Sequence, residues 1–130
     1  MTLLMLFLFQ PSTFWITSPL TTFTNNAAAG SDNTHGSGIW YLFPDAPVGP
    51  SKDLGLFGHR EAKRTPILPF ENNSAHSNGK IGLRFDKRLN EIHGIIGCST
   101  YDPRVDPTDK KSKRTPITLN GFTGRLITLY

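Results

Sequence analysis

A chain of 130 residues has room for one domain of ordinary size, and with 37% hydrophobic and 18% charged residues it is too apolar to be disordered. Its 12 glycines and 10 prolines interrupt every stretch long enough for an extended helix, which favours a turn-rich, all-β chain. A net charge of +4, without the dense basic stripe and motif that nucleic acid demands, argues for no nucleic acid partner and suits an acidic one such as an anionic polysaccharide.

Residues 1–10, from Met1 to Gln10, form an almost wholly apolar leader. It is far shorter than the ~20 residues that span a bilayer. It has no basic n-region and no small-residue cleavage site, which favours a hydrophobic β-segment or a start placed inside a longer gene over a signal peptide. A strand follows over Thr13-Phe14-Trp15-Ile16-Thr17 and ends at Ser18-Pro19.

Next comes an internal repeat. Phe23-Thr24-Asn25-Asn26-Ala27-Ala28-Ala29-Gly30-Ser31 corresponds to Phe70-Glu71-Asn72-Asn73-Ser74-Ala75-His76-Ser77-Asn78, 47 positions on. Each copy leads through a polar turn and a glycine into a strand, Gly38–Phe43 in the first and Gly82–Asp86 in the second. Stacked at the strand spacing of about 4.8 Å, such copies place like residue over like, the arrangement of a parallel β-helix. Asn25, Asn26, Asn72 and Asn73 are then structural corners: asparagine tolerates the left-handed conformation, and its amide can join a ladder along the stack. Alternation points Ile39, Tyr41 and Phe43 inward with Leu83 and Phe85, and Trp40 and Leu42 outward with Arg84 and Asp86.

Two excursions interrupt the coils, Pro44–Pro69 and Lys87–Pro116. Each carries a basic cluster, His59–Arg64 and Lys110–Arg114, expected to be solvated loop. A final strand runs through Leu126–Tyr130. Cys98 stands alone, so it is either buried and inert or paired outside the chain.

The Phe-Trp strand, the Asn25–Ser31 corner, Gly38–Phe43 with Pro47-Val48-Gly49-Pro50-Ser51, and the coil from Phe70 to Asp86 together resemble one group of proteins. It is the parallel β-helix region of the cell-surface hyaluronidase and cell migration-inducing hyaluronan-binding proteins, and of the fibrocystin-like receptors. Pro103 and Asp106 fall where that family has a loop containing Pro and Asp, and the match runs from about Pro11 to Tyr130. The resemblance implies an all-β, right-handed parallel β-helix over residues 11–130, set in an extracellular or cell-surface protein. It implies a scaffold or a surface for an anionic polysaccharide such as hyaluronan, with the rest of a parent protein as partner and no cofactor. Tyr130 is read as the counterpart of Phe23 and Phe70 with no asparagine corner after it, the mark of a truncated segment.

Within that frame Trp40, His76 and Arg84 are the candidate ligand contacts: an indole to stack on a sugar ring, an imidazole in the second corner, and a guanidinium to fork onto a uronate carboxylate. Packing beneath the Pro44–Pro69 loop is the structural alternative for Trp40. Glu71, Asp86, Asp45 and Asp53 show no spacing that pairs them as glycosidic acid and base. This segment is therefore expected to be non-catalytic, the alternative being part of a polysaccharide-cleaving enzyme or a remnant with no independent role. Asp102, Asp106 and Asp109 lack the glycine and terminal glutamate of a calcium loop, so no metal is expected. The sequon Asn72-Asn73-Ser74 is expected to go unmodified, because an asparagine pair turned inward as a ladder would leave it unused.

Overall fold

The computed structural model describes residues 11–32, 35–85, 89–90, 94–95, 101–124 and 127–129; the apolar leader, Asp86, Cys98 and Tyr130 lie outside them. The strands are β1 (Ser12–Ile16), β2 (Phe23–Thr24), β3 (Ala27–Ala29), β4 (Ser37–Tyr41), β5 (Phe70–Glu71), β6 (Ser74–His76), β7 (Ile81–Phe85), β8 (Leu89–Asn90), β9 (Gly94–Ile95), β10 (Thr123–Gly124) and β11 (Ile127–Leu129). A four-residue helix, α1 (Pro50–Asp53), sits in the first excursion. The protein is all-β.

Three parallel ladders organise it: β1-β4-β7-β11, β3-β6-β10 and β2-β5. The registers show how the chain revisits the first ladder. Phe14 lies beside Ile39, Ile39 beside Leu83, and Leu83 beside Ile127. The return thus takes 25 residues for the first storey and 44 for each of the next two, the difference being the two excursions. The 47-residue repeat is seen directly, with Phe23 beside Phe70 and Ala28 beside Ala75.

The corners follow from local chemistry. Asn25 and Asn72 take φ of 57° and 53°, the left-handed region that asparagine tolerates better than most residues. Their neighbours Asn26 and Asn73 form the amide ladder. Asn73 Oδ1 accepts from the Asn26 backbone N–H at 2.9 Å and from Asn26 Nδ2 at 3.2 Å, while Asn73 Nδ2 donates to the Phe23 carbonyl at 2.7 Å.

The third storey revises the reading of the C-terminal end. Glu71 bridges to Asn120, and the Asn120 N–H donates to the Phe70 carbonyl, so Leu119, not Tyr130, is the counterpart of Phe23 and Phe70. A corner does follow it: Gly121, φ 62°, stands beside Asn72. Glycine meets the same backbone requirement without an amide, which is why a search for paired asparagines passes over it. The final strand, Ile127–Leu129, then lies against Leu83–Phe85.

Inside, like stacks on like. Phe23 lies 5.9 Å from Phe70, and Tyr41 lies 4.8 Å from Phe85 with their planes 4° apart. Ile39, Tyr41, Phe43, Leu83 and Phe85 are all buried, as alternation requires. Gly38 is needed for close approach, since a Cβ there would sit 2.8 Å from the Gly82 carbonyl oxygen and 3.0 Å from Ala75 Cβ. Tyr101 joins this interior from the second excursion, stacking 5.4 Å from Phe85. Its hydroxyl donates to the Thr65 carbonyl and accepts from the Ile67 N–H, tying both excursions to the stack.

Burial pushes the Tyr101 hydroxyl up to about 12 and raises that of Tyr41 further from the ordinary 10.0. Both rings therefore hold their protons more tightly folded than unfolded. Stability is undiminished below about pH 10 and falls as pH rises through these values. Among the described residues the buried Tyr41 hydroxyl has no hydrogen-bond partner. Tyr41→Phe is expected to stabilise the protein by about 1 kcal/mol at neutral pH and to flatten the alkaline fall, both read from thermal melts across pH.

Candidate ligand-binding cleft

On the outer face of the four-stranded ladder the register puts Trp15, Trp40 and Arg84 in one column. The two indoles stack 5.6 Å apart with planes 9° from parallel, and the Arg84 guanidinium carbon lies 4.4 Å from the Trp40 ring centre. A delocalised cation over an indole face is attracted by the ring quadrupole, the more so when water is excluded. Trp40 and Arg84 are only 2% and 3% exposed, whereas Trp15 is 45% exposed. The expected outward pair is thus on the expected face but covered, and Trp15 is the aromatic that meets solvent. Leu42, also expected outward, is 9% exposed.

Trp15 forms one wall of a cleft of about 370 Å³, closed on the other side by the first excursion. Pro44, Pro47, Val48, Leu56 and Phe57 make the cleft largely apolar, and Thr17, Ser18 and Asp45 give it polar groups. That wall is held in place by charge. Asp45 Oδ1 lies 3.0 Å from Lys63 Nζ and 3.5 Å from Arg60 Nε. Lys63 is 5% exposed, so the His59–Arg64 cluster is only in part the solvated loop its composition suggests: Lys63 turns in toward Asp45 because a buried ammonium needs an anion.

The other basic cluster does face solvent. Lys110, Lys111, Lys113 and Arg114 are exposed. Arg104 and Arg114 face each other across an antiparallel bridge and share Asp102, with Arg114 Nε 2.8 Å from Asp102 Oδ1 and Arg104 Nη2 on Asp102 Oδ2. Asp106 and Asp109 are engaged in the local turn, accepting from the Thr108 and Lys111 backbone N–H groups. The Asp106 carboxyl is held below its usual range, mainly by the Thr108 hydroxyl. This face therefore keeps a surplus of exposed cations.

His76 lies on a different sheet from Trp40 and Arg84, beside Ala29, exposed and 3.2 Å from the Ser77 hydroxyl. The structure brings two of the three candidate contacts together and leaves the third apart. Asn25 and Asn72 take the left-handed conformation, and Asn26 and Asn73 meet through their amides. Sequence reasoning places Trp15 only in a strand; the signal for its role is that it repeats as Trp40 in the next storey of the ladder. Among the described residues no group of three His, Cys, Asp or Glu side chains is placed to hold a metal ion, and no helix is long and apolar enough to cross a membrane.

A ladder-built repeat protein with an aromatic cleft on one wall is the class these features define. The chain belongs to the CEMIP β-helix family, whose model matches residues 8–83. It is 45% identical over 93 residues to the human cell surface hyaluronidase CEMIP2, covering 72% of this chain and 6% of that protein. With the human cell migration-inducing and hyaluronan-binding protein the identity is 40% over 120 residues, 85% of this chain and 8% of that one. Mouse fibrocystin-L is 45% identical over 73 residues, 56% of this chain and 2% of its own length. The chain thus spans a small part of each curated relative.

Proposed function

We propose that the chain is a stretch of a right-handed parallel β-helix within a longer extracellular or cell-surface protein, non-catalytic in itself, and that its Trp15 cleft contacts a polysaccharide of the hyaluronan type. The observation that carries this is the backing of Trp15: an exposed indole held flat by Trp40 and Arg84 is a pre-set platform for the apolar face of a sugar ring. Basic side chains of the Lys110–Arg114 face add attraction for uronate carboxylates. The relatives named for hyaluronan binding and for hyaluronidase activity supply the ligand class.

Titrating the chain with size-defined hyaluronan oligosaccharides while following tryptophan fluorescence tests this. Binding is expected to weaken with added salt, and Trp15→Ala is expected to weaken it about tenfold or more, the loss of one good aromatic contact. Equal affinity for Trp15→Ala and the parent chain removes the cleft from the account. Because one relative is a named hyaluronidase, the polymer is also sized after incubation; shortening by this chain would replace the binding role with a cleaving one.

A further inference from the structure

We propose that Asn72 is an N-glycosylation site, the glycan standing on the corner column of the second storey; the proposal rests on the extracellular reading above. Asn72-Asn73-Ser74 is the one Asn-x-Ser/Thr sequence in the chain. An inward turn of both asparagines would bury the acceptor, but the two part company. Asn73 is 1% exposed and spends its amide on Asn26 and Phe23. Asn72, the residue the sequon modifies, is exposed, and among the described residues its side chain makes no hydrogen bond.

The left-handed φ of 53° is what separates them: it turns the chain through the corner so that consecutive side chains leave in different directions, one to the interior and one to solvent. The next storey clears the Asn72 amide only because its residue there is a glycine. Gly121 stands beside Asn72, and a Cβ at that position would lie 2.7 Å from Asn72 Oδ1. Meanwhile the Asn72 backbone N–H remains engaged with the Asn120 carbonyl at 2.9 Å, so modifying the side chain leaves the storey contact intact. The equivalent corners, Asn25-Asn26-Ala27 and Gly121-Phe122-Thr123, are not sequons, so the column carries a single glycan.

In the transfer, Asn72 Nδ2 forms a bond to the anomeric carbon of a lipid-pyrophosphate-linked oligosaccharide. The bond from that carbon to the pyrophosphate oxygen breaks, lipid pyrophosphate leaves, and Nδ2 gives up a proton. The bulky, solvated product keeps this corner facing water and leaves polysaccharide contact to the Trp15 wall.

The test is to direct the full chain into endoplasmic-reticulum microsomes with a cleavable signal and to treat the translocated product with peptide N-glycosidase. Expected is a mass drop of one glycan in the parent chain and none in Ser74→Ala or in Asn72→Gly, the latter suited to the left-handed corner. The glycosylated chain is expected to melt cooperatively within a few degrees of the unmodified one. A translocated chain without the mass drop overturns the assignment, as does a drop that survives Ser74→Ala, or a glycosylated product that no longer folds. Because entry to the microsome is imposed, these outcomes are independent of whether Trp15 binds sugar.

Discussion

Asn73→Ala is expected to cost about 3–4 kcal/mol, a large share of the roughly 5–15 kcal/mol that holds a domain of this size together. The change deletes three hydrogen bonds at once. It strands the Asn26 N–H and takes the amide donor from the Phe23 carbonyl, beside a position where Asn73 itself is 1% exposed. Each lost bond is worth about 1 kcal/mol net, and a buried group left without a partner adds to that. Asn72→Ala one position away is expected to cost only about 1–2 kcal/mol, the strain of a non-glycine residue in the left-handed region, and Asn72→Gly less. Urea unfolding followed by circular dichroism compares the three. A penalty for Asn73→Ala no greater than that for Asn72→Ala would remove the amide ladder as a source of stability.

Trp40→Ala is expected to cost about 3–5 kcal/mol, as for other buried aromatic truncations. The ring fills the column between Trp15 and Arg84 and supplies the face over which the Arg84 guanidinium is held. Truncation leaves a cavity and takes a cation–π partner from a residue only 3% exposed. The same change unseats Trp15, so ligand binding falls with it. Trp15→Ala, by contrast, removes a half-exposed ring and is expected to cost about 1 kcal/mol while abolishing most of the binding. The two variants thus separate the ring that builds the platform from the ring that meets the sugar. Thermal melts and hyaluronan titration of both check this, and comparable losses of stability in the two would contradict the division.

How much of this was legible beforehand depended on whether a residue's role was local. The corners at Asn25 and Asn72 and the inward set of Ile39, Tyr41 and Phe43 follow from conformational preference and a period of two, and they stand where the repeat puts them. The burial of Trp40 and Arg84 was not legible, because alternation says which way a side chain leaves the strand and nothing about what later covers it. Nor does composition say that Lys63 finds Asp45 across 18 positions.

The third storey is legible in the sequence as well. Lys63-Arg64-Thr65-Pro66-Ile67 recurs unchanged as Lys113-Arg114-Thr115-Pro116-Ile117, and Ser18-Pro19-Leu20 is a weaker first copy. The signal fades just beyond: Leu68-Pro69 before Phe70 is answered by Thr118 alone before Leu119, and the second asparagine of the corner gives way to Phe122. Backbone conformation is kept there through Gly121 while side-chain identity is not, which hides a coil from any reading that tracks asparagines.

Successive storeys lie in parallel register. Interstrand nuclear Overhauser effects measure it most directly. Backbone contacts are expected to link Ile39 to Leu83, Ala28 to Ala75, Glu71 to Asn120 and Leu83 to Ile127, in the pattern of parallel neighbours. Antiparallel cross-peaks between these stretches, or none joining the residues near Gly121 to those near Asn72, would contradict it.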